Sequence, residues 1–132
     1  MALIRIFNHR SDRYGPAFFW LALRILVIVI CGATGIAMLL ADTCMVNLFQ
    51  PTALGNAARI MTGLIEVVGA LLLFDRRTAS VGAITIAFVM CGAILSHLTV
   101  LRGSWIPAAL LLLAALAIAR KHKDLKLRSR IF

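Results

Sequence analysis

Residues 17–40 read AFFWLALRILVIVICGATGIAMLL, about 24 residues that carry a single charge, Arg24. A helix rises 1.5 Å per residue, so this run exceeds the roughly 20 apolar residues needed to cross a bilayer core about 30 Å thick. The rest of the chain has the same character. Of its 132 residues, 62% are hydrophobic and 14% charged, where soluble domains use about 45–50% apolar residues. A single domain of this length has too little interior to hide the surplus, which must therefore face lipid.

Outward from this run, three more apolar stretches follow, at about 57–74, 79–101 and 105–119. The second begins near Arg59 and holds Glu66, and the third holds His97 in its outer part. The fourth is short, about 15 residues, with Pro107 tolerable in its first turn. It is expected to continue as helix into the tail or to thin the membrane locally. A polar loop through Asn47, Gln50, Pro51 and Asn56 joins the first two spans. Asp75, Arg76 and Arg77 form the next turn, and Arg102-Gly103-Ser104 a tight last connection. Residues 1–16, MALIRIFNHRSDRYGP, read as a basic interfacial leader. They are not a cleavable signal, because the apolar run that follows is too long and lacks a cleavage pattern. The tail 120–132, RKHKDLKLRSRIF, sets six basic residues against one acidic and is expected to meet anionic lipid headgroups. The expected fold is all-α: a polytopic membrane four-helix bundle over residues 17–119.

The charge distribution orients that bundle. Eleven lysines and arginines fall on one side, in the leader (Arg5, Arg10, Arg13), the middle turn (Arg76, Arg77) and the tail, against Arg59 and Arg102 on the other. The positive-inside rule then places both termini in the cytoplasm. The same placement accounts for the net charge of +9 without a nucleic-acid partner, since the basic residues sit at the ends of apolar runs. Cys31, Cys44 and Cys91 show neither a CxxC nor a Cys/His metal spacing. Cys31 and Cys91 lie in apolar runs, where cysteine is a packing residue.

Ionisable groups within spans are costly and mark function by default. Three qualify: Arg24, Glu66 and His97. Counted from the ends of their apolar runs, Arg24 lies about 10 Å and Glu66 about 12 Å from the cytoplasmic side. Equal depth on consecutive antiparallel spans predicts a buried Arg24–Glu66 ion pair, either stapling the bundle or forming a polar site for a proton, a quinone headgroup or a small solute. Thr62, Gly63, Gly69 and Ala70 share the face of Glu66 and Leu64, Val68 and Leu71 oppose it, so Glu66 is expected to point into the bundle. Arg24 aligns with Ile28, Cys31, Gly35 and Met38, and His97 with Ala83, Ile86, Met90 and Ala93. His97 is expected to bond to Ser96, Asp42 or water. With His9 and His122 at the cytoplasmic boundary, no bis-histidine haem site forms within the chain. No Walker loop, GxGxxG, HExxH or GxSxG motif is present.

Three segments together resemble the DoxX-like family of small four-helix membrane proteins. They are LRILVIVICGATGIAM with Arg24 and Gly35, GLIEVVGALLL with Glu66, and DRRTASVGAITIAFVMCGAILSHL with Arg76, Arg77 and His97. The resemblance covers about residues 20–119. Many members carry a lysine where Met38 stands. The resemblance implies a bacterial inner (cytoplasmic) membrane protein linked to membrane redox systems, similar to subunits of thiosulfate:quinone oxidoreductase. The expected role is an accessory subunit of a larger membrane respiratory or redox complex, not an enzyme on its own, with a quinone as the one cofactor in view and no metal. The alternatives are a quinone-linked oxidoreductase subunit that uses Arg24, Glu66 and His97 directly, and a small-solute carrier. The last is disfavoured because no inverted repeat or broken span is visible.

Overall fold

Two pairs of glycines set the helix packing. In the computed structural model, which describes residues 2–101 and 104–131 with side chains over 17–100 and 104–121, the long helices are α1 (Ala2–Leu39), α3 (Gly55–Phe74), α4 (Ala79–Ser96) and α5 (Ile106–Ile131). A short helix, α2 (Thr43–Phe49), lies between α1 and α3, and a π-helical turn, His97–Leu101, extends α4. No strand occurs among the described residues. Helix α1 packs on α3, α3 on α4, and α4 on α5, with a lighter contact between α1 and α5.

A Cβ added to Gly35 would lie 2.9 Å from the carbonyl of Gly63, and one added to Gly63 would lie 2.9 Å from the carbonyl of Gly35. Gly82 meets the Gly69 carbonyl at 2.7 Å in the same sense. Each crossing brings two backbones together where only glycine fits, the way membrane helices associate when lipid removes the hydrophobic incentive. Around these points the core is small and apolar: Val27, Cys31, Ala70, Leu73, Ala83, Ile86, Ala115 and Ile118.

The opposite faces are large, apolar and exposed. Leu21, Ile25 and Val29 on α1, Leu64, Val68 and Leu71 on α3, and Val81, Ile84 and Phe88 on α4 point outward. Soluble proteins do not carry apolar surface on this scale, and this is the surface of a membrane protein. Three helical segments are long and apolar enough to cross a membrane, Ala17–Leu39, Gly55–Phe74 and Ala79–Val100, within a residue or two of the predicted spans. Helix α5 has the shorter apolar part and runs on into the basic tail.

The loop between the first two spans holds more structure than its polar residues suggest. Ala41 adopts a left-handed conformation, φ 56°. Asp42 N–H donates to Ala37 O at 3.1 Å and Ala41 N–H to Met38 O at 3.3 Å. This closes α1 in a Schellman motif with alanine where glycine is usual. Asp42 then caps α2, its Oδ2 accepting from Cys44 N–H at 3.2 Å. Cys44 is therefore helical rather than part of an open loop. All three cysteines are free, Cys31 buried and Cys44 and Cys91 exposed. The leader's backbone joins α1 without a break. The leader's basic side chains, His9, the tail beyond Lys121 including His122, and the Arg102–Gly103 connection lie outside the described residues, or outside those whose side chains are described.

Candidate functional site

Arg24 and Glu66 do not pair. Arg24 Nε donates to the carbonyl of Leu73, near the C-terminus of α3. Glu66 Oε2 accepts from the Thr34 hydroxyl at 2.7 Å. Thr34 and Arg24 lie ten residues apart on α1, about 15 Å along the axis. The matched depths fail because the helix ends are not level. With Gly35 against Gly63 and Arg24 against Leu73, the end of α3 sits beside Arg24 rather than beside Ala17. The first turns of the apolar run in α1 project past it.

The arginine therefore caps a helix. The last carbonyls of a helix have no intrahelical partner and carry its negative end, and a guanidinium satisfies both demands. The neighbouring Leu72 carbonyl accepts from the Thr78 hydroxyl at 2.7 Å. The opposite end of the pair is built the same way. Arg59 of α3, buried with only 5% of its surface exposed, donates through one terminal NH2 to the carbonyl of Met38 at the end of α1. Its Nε approaches Asn56 Oδ1 at 3.4 Å. Arg24 and Arg59 thus clamp the two ends of an antiparallel helix pair, each capping the other's helix. Arg59, which the sequence places at the start of its span among the outer charges, lies inside the helix pair. Its spacing to Gly63, Glu66, Ala70 and Leu73 is that of one helix face, and that signal places it inside.

Glu66 and His97 have the predicted orientations. Gly63, Gly69 and Ala70 are buried beside Glu66 while Leu64, Val68 and Leu71 are exposed. Ala83, Ile86 and Met90 are buried on the face of His97. The two residues line one cavity of about 430 Å³ enclosed by α2, the following loop, α3 and α4. Its walls include Phe49, Ile65 and Val89, with Thr62 and Ser96 as further polar groups. Gly82 lies against Gly69, so Glu66 is level with about residue 85 of α4 and His97 stands roughly 18 Å higher. Glu66, bonded to Thr34, forms the floor, and His97 the outer end.

His97 is placed by an irregularity. Its N–H is shared between the carbonyls of Ala93 and Ile94, and the helix widens to a π turn from that residue on. Such turns recur at functional sites. Its Nδ1 is buried and has no hydrogen-bond partner among the described residues. The expected bond to Ser96 or Asp42 is not made: Ser96 donates to Gly92 O at 2.9 Å, and Asp42 is engaged at the start of α2. Among the described residues no group of three or more His, Cys, Asp or Glu side chains could hold a metal.

Comparison of the chain with known protein families, with characterised proteins and with solved structures finds no match.

Proposed function

We propose that this chain is a four-span bundle with both termini in the cytoplasm that holds a small amphipathic molecule of the quinone class, as an accessory subunit of a larger membrane redox complex. The observation that carries the ligand is the unpartnered, buried Nδ1 of His97 at one end of a mostly apolar cavity. Binding sites of this kind are mostly apolar, with a few placed polar groups that fix orientation. A ring bearing carbonyl or hydroxyl oxygens sits against His97, whose imidazole either donates or accepts. Its tail leaves past Leu54 and Phe88, which line the cavity and are exposed at 71% and 77%.

Holding a ligand fits better than catalysis. With Glu66 and His97 about 18 Å apart, they do not act together on one small molecule. The likeness of its motifs to the DoxX-like family supports the redox setting. The test is titration of the purified protein with a decyl-tailed benzoquinone. Saturable binding that His97→Ala weakens far more than Glu66→Gln supports the assignment, and absence of binding removes it. Sizing in mild detergent tests the accessory role: a stoichiometric larger partner supports it, and turnover on quinone by the isolated chain overturns it.

Sidedness has a native probe. Cys44 is exposed on α2, so an impermeant maleimide added outside the cell labels it. A Ser129→Cys variant lacking Cys44 stays unlabelled. Labelling at position 129 refutes the orientation.

A further inference from the structure

At the other end of the molecule from His97, a second cavity of about 210 Å³ opens between α1, α5 and the turn that joins α3 to α4. Arg24, Arg76 and Lys121 line it, with Ala17, Trp20, Leu21 and Ile118 as its apolar walls. Among the described residues no carboxylate lines it. Three cations from three separate elements, gathered in one small cavity, repel one another unless an anion joins them.

The groups are also held in place. Arg24 is fixed through Nε by the Leu73 carbonyl, which leaves a terminal nitrogen, Nη2, buried without a partner among the described residues. Lys121 Nζ lies 4.3 Å from the centroid of the Trp20 ring, within cation–π range. Burial pushes the lysine below its ordinary value, an effect that a bound anion reverses. Among the described residues Asp75 is the acid close enough to act on Arg24, but it is exposed, lies outside the pocket lining, and its Oδ1 accepts from the Arg77 N–H at 3.1 Å.

We infer that this pocket binds the phosphate of an anionic lipid headgroup. The apolar walls choose lipid over a soluble anion. Leu21 lines the pocket and is 51% exposed, and Phe18 and Ile25 continue an exposed apolar strip along α1, so an acyl chain runs from the pocket along the lipid-facing side of that helix. A basic pocket between membrane helices is a recurrent headgroup site. The inference is independent of the His97 cavity, and it places lipid recognition in a defined pocket in addition to the diffuse charge of the tail.

The experiment uses the full chain, delipidated in neutral detergent, with Trp105→Phe leaving Trp20 as the only tryptophan. Phosphatidylglycerol is expected to shift Trp20 emission saturably, while phosphatidylcholine, whose choline meets the three cations, does not. Arg76→Gln removes an exposed pocket residue and is expected to weaken the apparent affinity about fivefold, the equivalent of about 1 kcal/mol for a basic residue near a lipid phosphate. Arg77→Gln removes the same charge one residue away, outside the pocket lining, and is expected to have little effect. Equal responses to the two lipids, or equal losses in the two variants, overturn the pocket in favour of diffuse attraction. Inorganic phosphate that reproduces the full shift and blocks the response to phosphatidylglycerol overturns the lipid assignment and identifies a free-phosphate site.

Discussion

The α1–α3 seam and the cavity between α3 and α4 treat polar groups in opposite ways. Along the seam each charged side chain is anchored by a backbone or hydroxyl group: Arg24 caps α3 through Nε, Arg59 caps α1, and Glu66 takes the Thr34 hydroxyl. Between these contacts Gly35 and Gly63 bring the backbones together. Around the cavity the helices stand apart, and His97 keeps a buried nitrogen without a partner. A charge inside a membrane span is therefore not by itself a sign of chemistry. A helix end supplies carbonyls with no intrahelical partner and a negative potential, which suffices to hold a guanidinium. The polar atoms that packing leaves unanswered, His97 Nδ1 and Arg24 Nη2, are the ones to associate with a ligand.

The contrast breaks first at the glycines. Gly35→Leu and Gly82→Leu place side-chain atoms where a backbone carbonyl already lies under 3 Å from a Cβ, and the helices must separate. Each is expected to lose about 3 kcal/mol or more, read as earlier unfolding in a sodium dodecyl sulfate titration of mixed micelles. Gly92 has open space around its added Cβ, so Gly92→Leu is expected to change stability by less than about 0.5 kcal/mol. Equal losses at Gly35 and Gly92 would remove the close crossing as the organising contact.

The arginine caps come next. Arg59→Ala is expected to cost about 2–3 kcal/mol in the same titration, the range for losing a buried hydrogen bond from a charged donor. Arg24→Ala should cost less, because Arg24 is only half-buried. Were the two arginines partners of Glu66 instead, Glu66→Leu would rescue Arg24→Ala. With separate roles the two losses add.

Glu66 and His97 separate stability from binding. Glu66→Gln keeps an acceptor for Thr34 and is expected to cost about 1 kcal/mol or less, with Glu66→Leu costing more. His97→Ala is expected to leave unfolding within about 0.5 kcal/mol and to weaken benzoquinone binding about tenfold, one hydrogen bond's worth. A His97→Ala protein that unfolds early yet binds normally would place His97 with the seam, as a packing residue.

The smallest effect is a gain. Ala41 holds φ 56° in the cap of α1, a conformation glycine adopts without strain. Ala41→Gly is expected to stabilise the protein by about 0.5–1 kcal/mol, less the extra freedom glycine has in the unfolded chain. An unchanged midpoint would show that the two terms cancel.

Much of this was legible from residue order. Apolar runs the length of a bilayer core define spans whatever their neighbours do, and small residues at helical spacing picked the inward face of α3 because a one-dimensional period becomes a side of a helix. The same rule put Arg24, Glu66 and His97 inside. It could not decide what each one touches. That depends on the register between helices, which the Gly35–Gly63 and Gly69–Gly82 contacts set and hydropathy ends do not reveal, since an apolar run has no need to stop level with its neighbour. Sliding α1 by about 12 Å against α3 turns an expected ion pair into a helix cap by Arg24 and a hydroxyl contact by Glu66. The helical turn in the loop at Thr43–Phe49 and the π turn at His97 likewise arise only when the chain must close around α3 and α4. The sequence alone determined which residues leave water and which side of each helix they take, because burial follows from side-chain chemistry. Which of them meet, and which is left with an open valence toward a cavity, was decided by tertiary structure, because close approach is a property of two backbones at once.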